Sequence, residues 1–143
     1  MRTFAAAALS LLITIPSMTN AQDRYVCPGN GSELHQLRIY EINRSNKDAF
    51  HQRFQDHALR IMKRHDFNVV DMWESDTGQK VEFVYLLAWS SKAIMDARWK
   101  AFLADHEWIE IKKQTAEESG ELVREVNGQP LIRVSYSPAR SSK

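Results

Sequence analysis

The feature of the sequence that most constrains its fold is a nine-residue apolar run, VEFVYLLAW, at Val81–Trp89. Its β-branched and aromatic residues are typical of a β-strand. Successive side chains of a strand point to opposite faces, and both faces of this run are apolar apart from Glu82. Because such a strand is covered on both sides, the run predicts a central strand in a sheet that leaves neither face to water.

The segments on either side of this run complete a simple order of elements. In chain order we predict a strand at Leu34–Ile42, a helix to about Arg64, strands at 67–74 and 81–89, helices after Ser91 and after Asp105, and two short strands at 122–126 and 131–136. The two short strands are separated by Asn127-Gly128-Gln129-Pro130, and Gly120 ends the last helix. This βαββαβ order predicts a ferredoxin-like α+β domain, an antiparallel sheet with helices on one face.

A sheet with helices on one face leaves its other face uncovered. The two-sided apolar pattern of Val81–Trp89 indicates that this second face is also buried. The simplest cover is the same sheet of a second copy, packed face to face. We therefore predict a two-fold homodimer.

The first 21 residues have the layout of a secretory signal peptide. Arg2 is followed by about a dozen mostly apolar residues, fewer than the roughly 20 that span a bilayer. Pro16 ends this run, and Thr19 and Ala21 are small residues at the −3 and −1 positions of a cleavage site. We predict cleavage after Ala21, a secreted or periplasmic protein, and no membrane span once the signal is removed.

Removal of the signal peptide leaves one domain. We predict a flexible leader at 22–33, the domain at 34–138 and a disordered tail at 139–143. The whole chain has 19 Lys and Arg against 18 Asp and Glu, and losing Arg2 leaves 18 of each. Because a neutral chain lacks a strong positive potential, nucleic acid is not a predicted partner.

The single cysteine, Cys27, excludes an intramolecular disulfide framework.

The sequence contains no motif with a defined chemistry. It lacks the nucleophile elbow G-x-S-x-G and a P-loop, and in the segment His106–Glu110 a glutamate replaces the second histidine of H-E-x-x-H. His57 and His65 lie about 12 Å apart along one helix, too far for both to bind one metal. We predict neither a metal nor a cofactor.

Six residues are candidates for lining a ligand pocket. Arg38 and Tyr40 share one face of the first strand. His57 lies on an apolar helical stripe with Phe50, Phe54 and Ile61, aimed at the sheet, where it is either a hydrogen-bonded core residue or a pocket residue. Asp71 is either an acid altered by burial or an interior polar residue that pairs with Arg38 or water. Trp73 and Trp89 are either core residues or walls of an aromatic pocket.

Several segments, taken in order, resemble the NIPSNAP family. They are Leu37-Arg38-Ile39-Tyr40, His57-Ala58-Leu59, the strand from Phe67 to Trp73, the strand from Val84 to Trp89, Glu107-Trp108, and Tyr136-Ser137-Pro138. The resemblance covers about residues 34–138. It implies a dimeric α/β barrel of ferredoxin-like protomers, and it supplies no set of catalytic residues. Other members of this barrel superfamily are small monooxygenases, so fold alone does not assign a function.

Three functions remain open from the sequence. The first is an exported NIPSNAP-like homodimer that binds a small apolar or aromatic molecule, or a partner protein. The second is a cofactor-independent monooxygenase or isomerase of the dimeric α/β barrel type, in which His57 takes a proton within a dry pocket. The third is a structural dimer without a ligand.

Overall fold

Residues 34–138 form a four-stranded antiparallel sheet with helices packed on one face, as described by a computed structural model. The strands lie in the order β2-β3-β1-β4. They are β1 (Leu34–Ile42), β2 (Asn68–Asp76), β3 (Val81–Trp89) and β4 (Val123–Ile132). The predicted signal peptide, the leader with Cys27, and the tail at 139–143 lie outside the described residues.

The helices follow β1 and β3, and the resulting order confirms the predicted ferredoxin-like α+β fold. The helical segment after β1 consists of a 3₁₀ turn at Arg44–Asn46, α1 (Lys47–Arg53), a π-helical turn at Phe54–Ala58, and α2 (Leu59–Arg64). Two further helices, α3 (Lys92–Leu103) and α4 (His106–Ser119), follow β3.

The ends of α3 and α4 follow from local capping. The Ser91 side chain accepts a hydrogen bond from the backbone N–H of Ile94 at 3.2 Å, and Asp105 accepts one from Trp108 at 3.2 Å. Gly120 ends α4 with a φ of 76°, a left-handed value that favours glycine. These three positions confirm the predicted starts of both helices and the end of the second.

Asp105 also ties the start of α4 to the end of α2. Its Oδ2 lies 2.7 Å from His65 Nε2 and 2.7 Å from Arg64 Nη2. Hydrogen bonds from His65 and then from Arg64 hold the pKa of Asp105 well below its usual range. The carboxylate therefore stays ionised and fixes the position of α4 against the first helical segment.

The last strand differs from the prediction of two short strands. β4 is one continuous strand that passes through Gly128 and Pro130. It lies at the edge of the described sheet, where proline is tolerated because one side of the strand has no hydrogen-bonding neighbour among residues 34–138. Gly128 lies directly opposite Arg38, and a Cβ at this position would be 2.5 Å from Arg38 Nη1. Gly128 and Pro130, which the sequence pattern assigned to a turn, are therefore both accommodated within β4.

The core lies between the sheet and the helices. Alternate residues of β3 face it and are all buried, namely Val81, Phe83, Tyr85, Leu87 and Trp89. The facing helical segment contributes Phe50, Phe54, Ile61 and Met62. With β1 on one side and β2 on the other, β3 is a central strand, as its sequence predicts.

The other face of the sheet, which we call the open face, carries a band of apolar side chains. Residues paired directly across antiparallel strands share a face, and the register assigns to it Leu37, Ile39, Trp73, Val84, Leu86 and Leu131. A row of three glutamates, Glu41, Glu82 and Glu125, crosses the same face at one end. No described helix covers the apolar band.

Candidate ligand-binding site

A cavity of about 580 Å³ lies between β1, β4 and the helices α3 and α4, and we call it the Arg38 cavity. Its apolar lining consists of Met95, Trp99, Phe102, Leu103, Trp108, Val123 and Val126. Its polar lining consists of Gln36, Arg38, Tyr40, Arg53, Asp96 and Lys112. Small-molecule sites typically have volumes of about 300–1,000 Å³ and mostly apolar walls with a few polar groups, so the cavity matches such a site in size and lining.

The polar side of the cavity comes from the alternation of β1. Its helix-facing residues are apolar at the two ends of the strand, at Leu34 and Ile42, and polar at the three positions between them. Those three are Gln36, Arg38 and Tyr40, and all line the cavity. Polar side chains seldom face a protein core, because burying them costs free energy. This row is therefore a candidate functional surface.

Arg38 is held by aromatic rings. Its guanidinium carbon lies 4.6 Å from the centroid of the Trp99 ring and 5.4 Å from that of Tyr40. Its Nη2 donates to the Tyr40 hydroxyl at 3.4 Å. Its Nε is buried and has no hydrogen-bond partner within residues 34–138.

Two hydrogen bonds fix the rings around Arg38. The Trp99 indole N–H donates to Gln36 Oε1 at 2.7 Å, which sets the orientation of the Trp99 ring. The hydroxyls of Tyr40 and Tyr85 lie 2.8 Å apart. Tyr85 is fully buried, and its burial raises the pKa of its hydroxyl well above the ordinary value, so the group stays neutral. Hydrogen bonds through the Tyr40 hydroxyl thus connect the Arg38 guanidinium to the buried Tyr85.

Two more basic side chains line the cavity beside Trp108. The guanidinium of Arg53 lies 5.6 Å from the Trp108 ring centroid, and the ammonium of Lys112 lies 5.8 Å from it. Burial lowers the pKa of Arg53, although a guanidinium remains charged at any physiological pH. Sequence reasoning missed both residues, because each lies on a helix face that its local pattern assigns to solvent.

His57 lies outside the Arg38 cavity. The predicted stripe assumed regular α-helical spacing, but His57 falls in the π-helical turn, and the buried positions there are Phe54 and Ala58. A π turn holds more residues than an α turn and rotates the later side chains about the helix axis. His57 therefore turns from the sheet towards α4, where it lines a separate cavity of about 180 Å³ with Arg53 and Ile111.

The remaining candidates are also apart from the Arg38 cavity. Asp71 and Trp73 lie on the edge strand β2 on the open face, and both are exposed. Asp71 does not pair with Arg38; its Oδ1 accepts from the backbone N–H of Met72 at 2.8 Å. Trp89 lies in the core against Phe67, with ring centroids 4.9 Å apart. The structure thus brings together Arg38 and Tyr40 and separates the other four.

Residues 34–138 contain neither a metal-binding cluster nor a membrane-spanning helix. Among residues 34–138, no group of three or more His, Cys, Asp or Glu side chains is arranged to hold a metal ion. None of the helices in the same range has the length and apolar character needed to cross a membrane.

The sheet order and the one-sided helices define a ferredoxin-like α+β domain with a ligand-sized cavity between its layers. The sequence model of the NIPSNAP family matches residues 35–138, and the chain therefore belongs to the NIPSNAP family. This confirms the resemblance noted from the sequence. No curated protein matches the chain.

Solved structures of NIPSNAP proteins have the same fold. An uncharacterized NIPSNAP-like domain protein from Burkholderia xenovorans superimposes with a TM-score of 0.65 at 20% identity, covering 77% of this chain and 92% of its own. A NIPSNAP family protein of unknown function from Agrobacterium tumefaciens gives 0.64 at 20% identity, covering 75% and 93%. A further NIPSNAP family protein from the same organism gives 0.65 at 16% identity, covering 76% and 99%. At these identities the similarity establishes the fold alone.

Proposed function

We propose that this protein is an exported NIPSNAP-family homodimer that binds a small apolar or aromatic molecule in the Arg38 cavity. The observation that carries the proposal is the cavity itself, about 580 Å³ lined by seven apolar side chains and by the polar row of β1. Two of its apolar lining residues, Leu103 and Val126, are 54% and 49% exposed, so the cavity opens to solvent and a small molecule can enter it.

Binding is favoured over catalysis by what lines the cavity. The monooxygenase or isomerase alternative needs a group that accepts a proton inside the pocket, and His57 lies in a different cavity. Among the described lining residues the one carboxylate is Asp96, and its Oδ2 lies 2.6 Å from Lys92 Nζ. The residues around the Arg38 cavity are therefore suited to hold a molecule.

Native mass spectrometry of the protein isolated from its own host tests the binding proposal. We expect a non-covalent additional mass that is retained by His57→Ala, because His57 lies outside the cavity. Trp99→Ala removes the ring that forms one wall and holds Arg38, and we expect it to weaken binding by about tenfold, or about 1.4 kcal/mol. A protein without added mass that also binds nothing in a thermal-shift screen of aromatic and aliphatic compounds would contradict the proposal.

The homodimer is proposed from the open face. Its apolar side chains come from all four strands, and burying them against a second copy would remove a continuous apolar surface from water. A sheet face is self-complementary about a two-fold axis, so one surface serves both copies. Because the Arg38 cavity lies on the opposite side of the sheet, assembly and ligand binding use different surfaces.

Export is proposed from residues 1–21, whose pattern is that of a cleaved signal peptide. We expect the mature protein to begin at Gln22 and to be recovered from the periplasm or the medium. N-terminal sequencing of the protein from its own host provides the measurement. A cytoplasmic chain that still begins at Met1 would show that this proposal is wrong.

A further inference from the structure

The Arg38 cavity has a charge imbalance that points to the class of its ligand. Three basic side chains line it, Arg38, Arg53 and Lys112, and none forms an ion pair within residues 34–138. The one described carboxylate in the lining, Asp96, pairs with Lys92. Of the twelve other Lys and Arg residues among 34–138, eight have a carboxylate partner, namely Arg44, Lys47, Arg60, Arg64, Lys80, Lys92, Arg98 and Arg124. A concave surface with apolar walls concentrates the field of such charges and attracts an anion.

Arg38 in particular has unused hydrogen-bonding capacity. A guanidinium carries N–H donors on three nitrogens, and its partners within residues 34–138 are two tyrosine hydroxyls, that of Tyr40 at 3.4 Å and that of the buried Tyr85. The buried Nε has none among residues 34–138. Leaving buried donors unpaired costs free energy, and a planar guanidinium is shaped to donate two parallel hydrogen bonds to a carboxylate.

The rest of the cavity is apolar and aromatic. Trp99 and Trp108 form two of its walls, and each already lies beside a basic side chain. A bare inorganic anion would not fill the apolar part of the cavity. An anion attached to an aromatic or aliphatic body would satisfy both parts of the site.

We propose that the ligand of the Arg38 cavity is an amphipathic organic carboxylate, with its acid group on Arg38 and its apolar body between Trp99 and Trp108. This inference rests on the proposed binding function and narrows it to one chemical class. Arg53 and Lys112, beside Trp108, add positive potential without being required for the paired hydrogen bonds.

Gly128 has a positioning role in this arrangement. It lies opposite Arg38 on the neighbouring strand, and the guanidinium lies over its missing side chain. Gly128→Ala places a methyl group within 2.5 Å of Nη1 and so displaces the end of a flexible side chain. We expect this variant to keep its fold and to bind carboxylates more weakly, without a matching loss for neutral ligands.

The test uses isothermal titration calorimetry on the full mature protein with three carboxylates, phenylacetate, 2-naphthoate and octanoate, each paired with its neutral primary amide. We expect at least one carboxylate to bind about tenfold more tightly than its amide, the gain of a charge-assisted hydrogen-bond pair. Arg38→Met should remove this preference and change amide binding less than about twofold. Arg44→Met is the matched control, because it makes the same substitution at an exposed arginine that pairs with Asp76.

The outcomes separate this inference from the function on which it rests. If amides bind as tightly as carboxylates, the anion assignment is overturned while the binding function stands. If the carboxylate preference survives both Arg38→Met and Gly128→Ala, the role of Arg38 is overturned. If no compound of either series binds, the carboxylate assignment is overturned, and the added mass in the native mass spectrum decides separately whether the binding function stands.

Discussion

Trp89→Ala is expected to lower the free energy of unfolding by about 3–5 kcal/mol, the usual cost of truncating a large buried aromatic side chain. Trp89 is 3% exposed and packs edge-on against Phe67 at the end of β3. The side chains around Trp89 belong to the core between the sheet and the helices, and α3 is fixed by its Ser91 cap. They can therefore collapse only partly into the cavity that the truncation leaves. Urea denaturation followed by circular dichroism measures the change.

Trp89→Phe makes this prediction more specific. It keeps an aromatic ring in the core and removes the indole N–H, which is buried without a hydrogen-bond partner in the described structure. An unsatisfied buried donor costs about 1–3 kcal/mol, and its loss offsets part of the lost packing. We therefore expect Trp89→Phe to cost less than about 1.5 kcal/mol and to leave ligand binding unchanged.

Other results for these two variants would show that Trp89 is not a core residue. If Trp89→Ala costs less than about 1 kcal/mol, the residue is not part of a close-packed core. If Trp89→Phe keeps its stability but loses the ligand, Trp89 belongs to a binding pocket, which was the alternative left open by the sequence.

The fold could be predicted because its main determinants are local. The apolar run of β3 identifies a central strand, and Ser91, Asp105 and Gly120 determine where helices begin and end. Each of these signals depends on a residue and its neighbours within one turn or one strand. The prediction that Gly128 separates two short strands was wrong. Gly128 lies within β4 and leaves room for the side chain of Arg38, which is 90 positions earlier in the chain, so no local pattern indicates this role.

The candidate site was predicted only in part, for a related reason. The alternation of β1 places Arg38 and Tyr40 on one face, but it does not determine which face meets the helices, since both contain apolar and polar residues. His57 was misplaced because a π turn interrupts the helical period. Trp99, Arg53 and Lys112 come from separate helices, and only the packing of those helices brings them to one cavity.

Leu37→Asp is expected to separate the proposed dimer into monomers. Leu37 lies in the apolar band of the open face, and the two-fold axis would place two copies of the substitution in one interface. Burying an ionised carboxylate without a partner costs several kcal/mol, so the dimer dissociation constant should rise by at least about 100-fold. Analytical ultracentrifugation over a range of protein concentrations measures this constant.

Two controls identify the open face as the cause. Ile94→Asp makes a similar change at an exposed apolar residue in the first turn of α3, where a carboxylate is tolerated, and should leave the dimer intact. Leu37 and Arg38 are neighbours on β1 that point to opposite faces, so a Leu37→Asp monomer should still bind the ligand. A wild-type protein that is monomeric at every concentration, or a Leu37→Asp variant that remains dimeric, would contradict the assignment of this face.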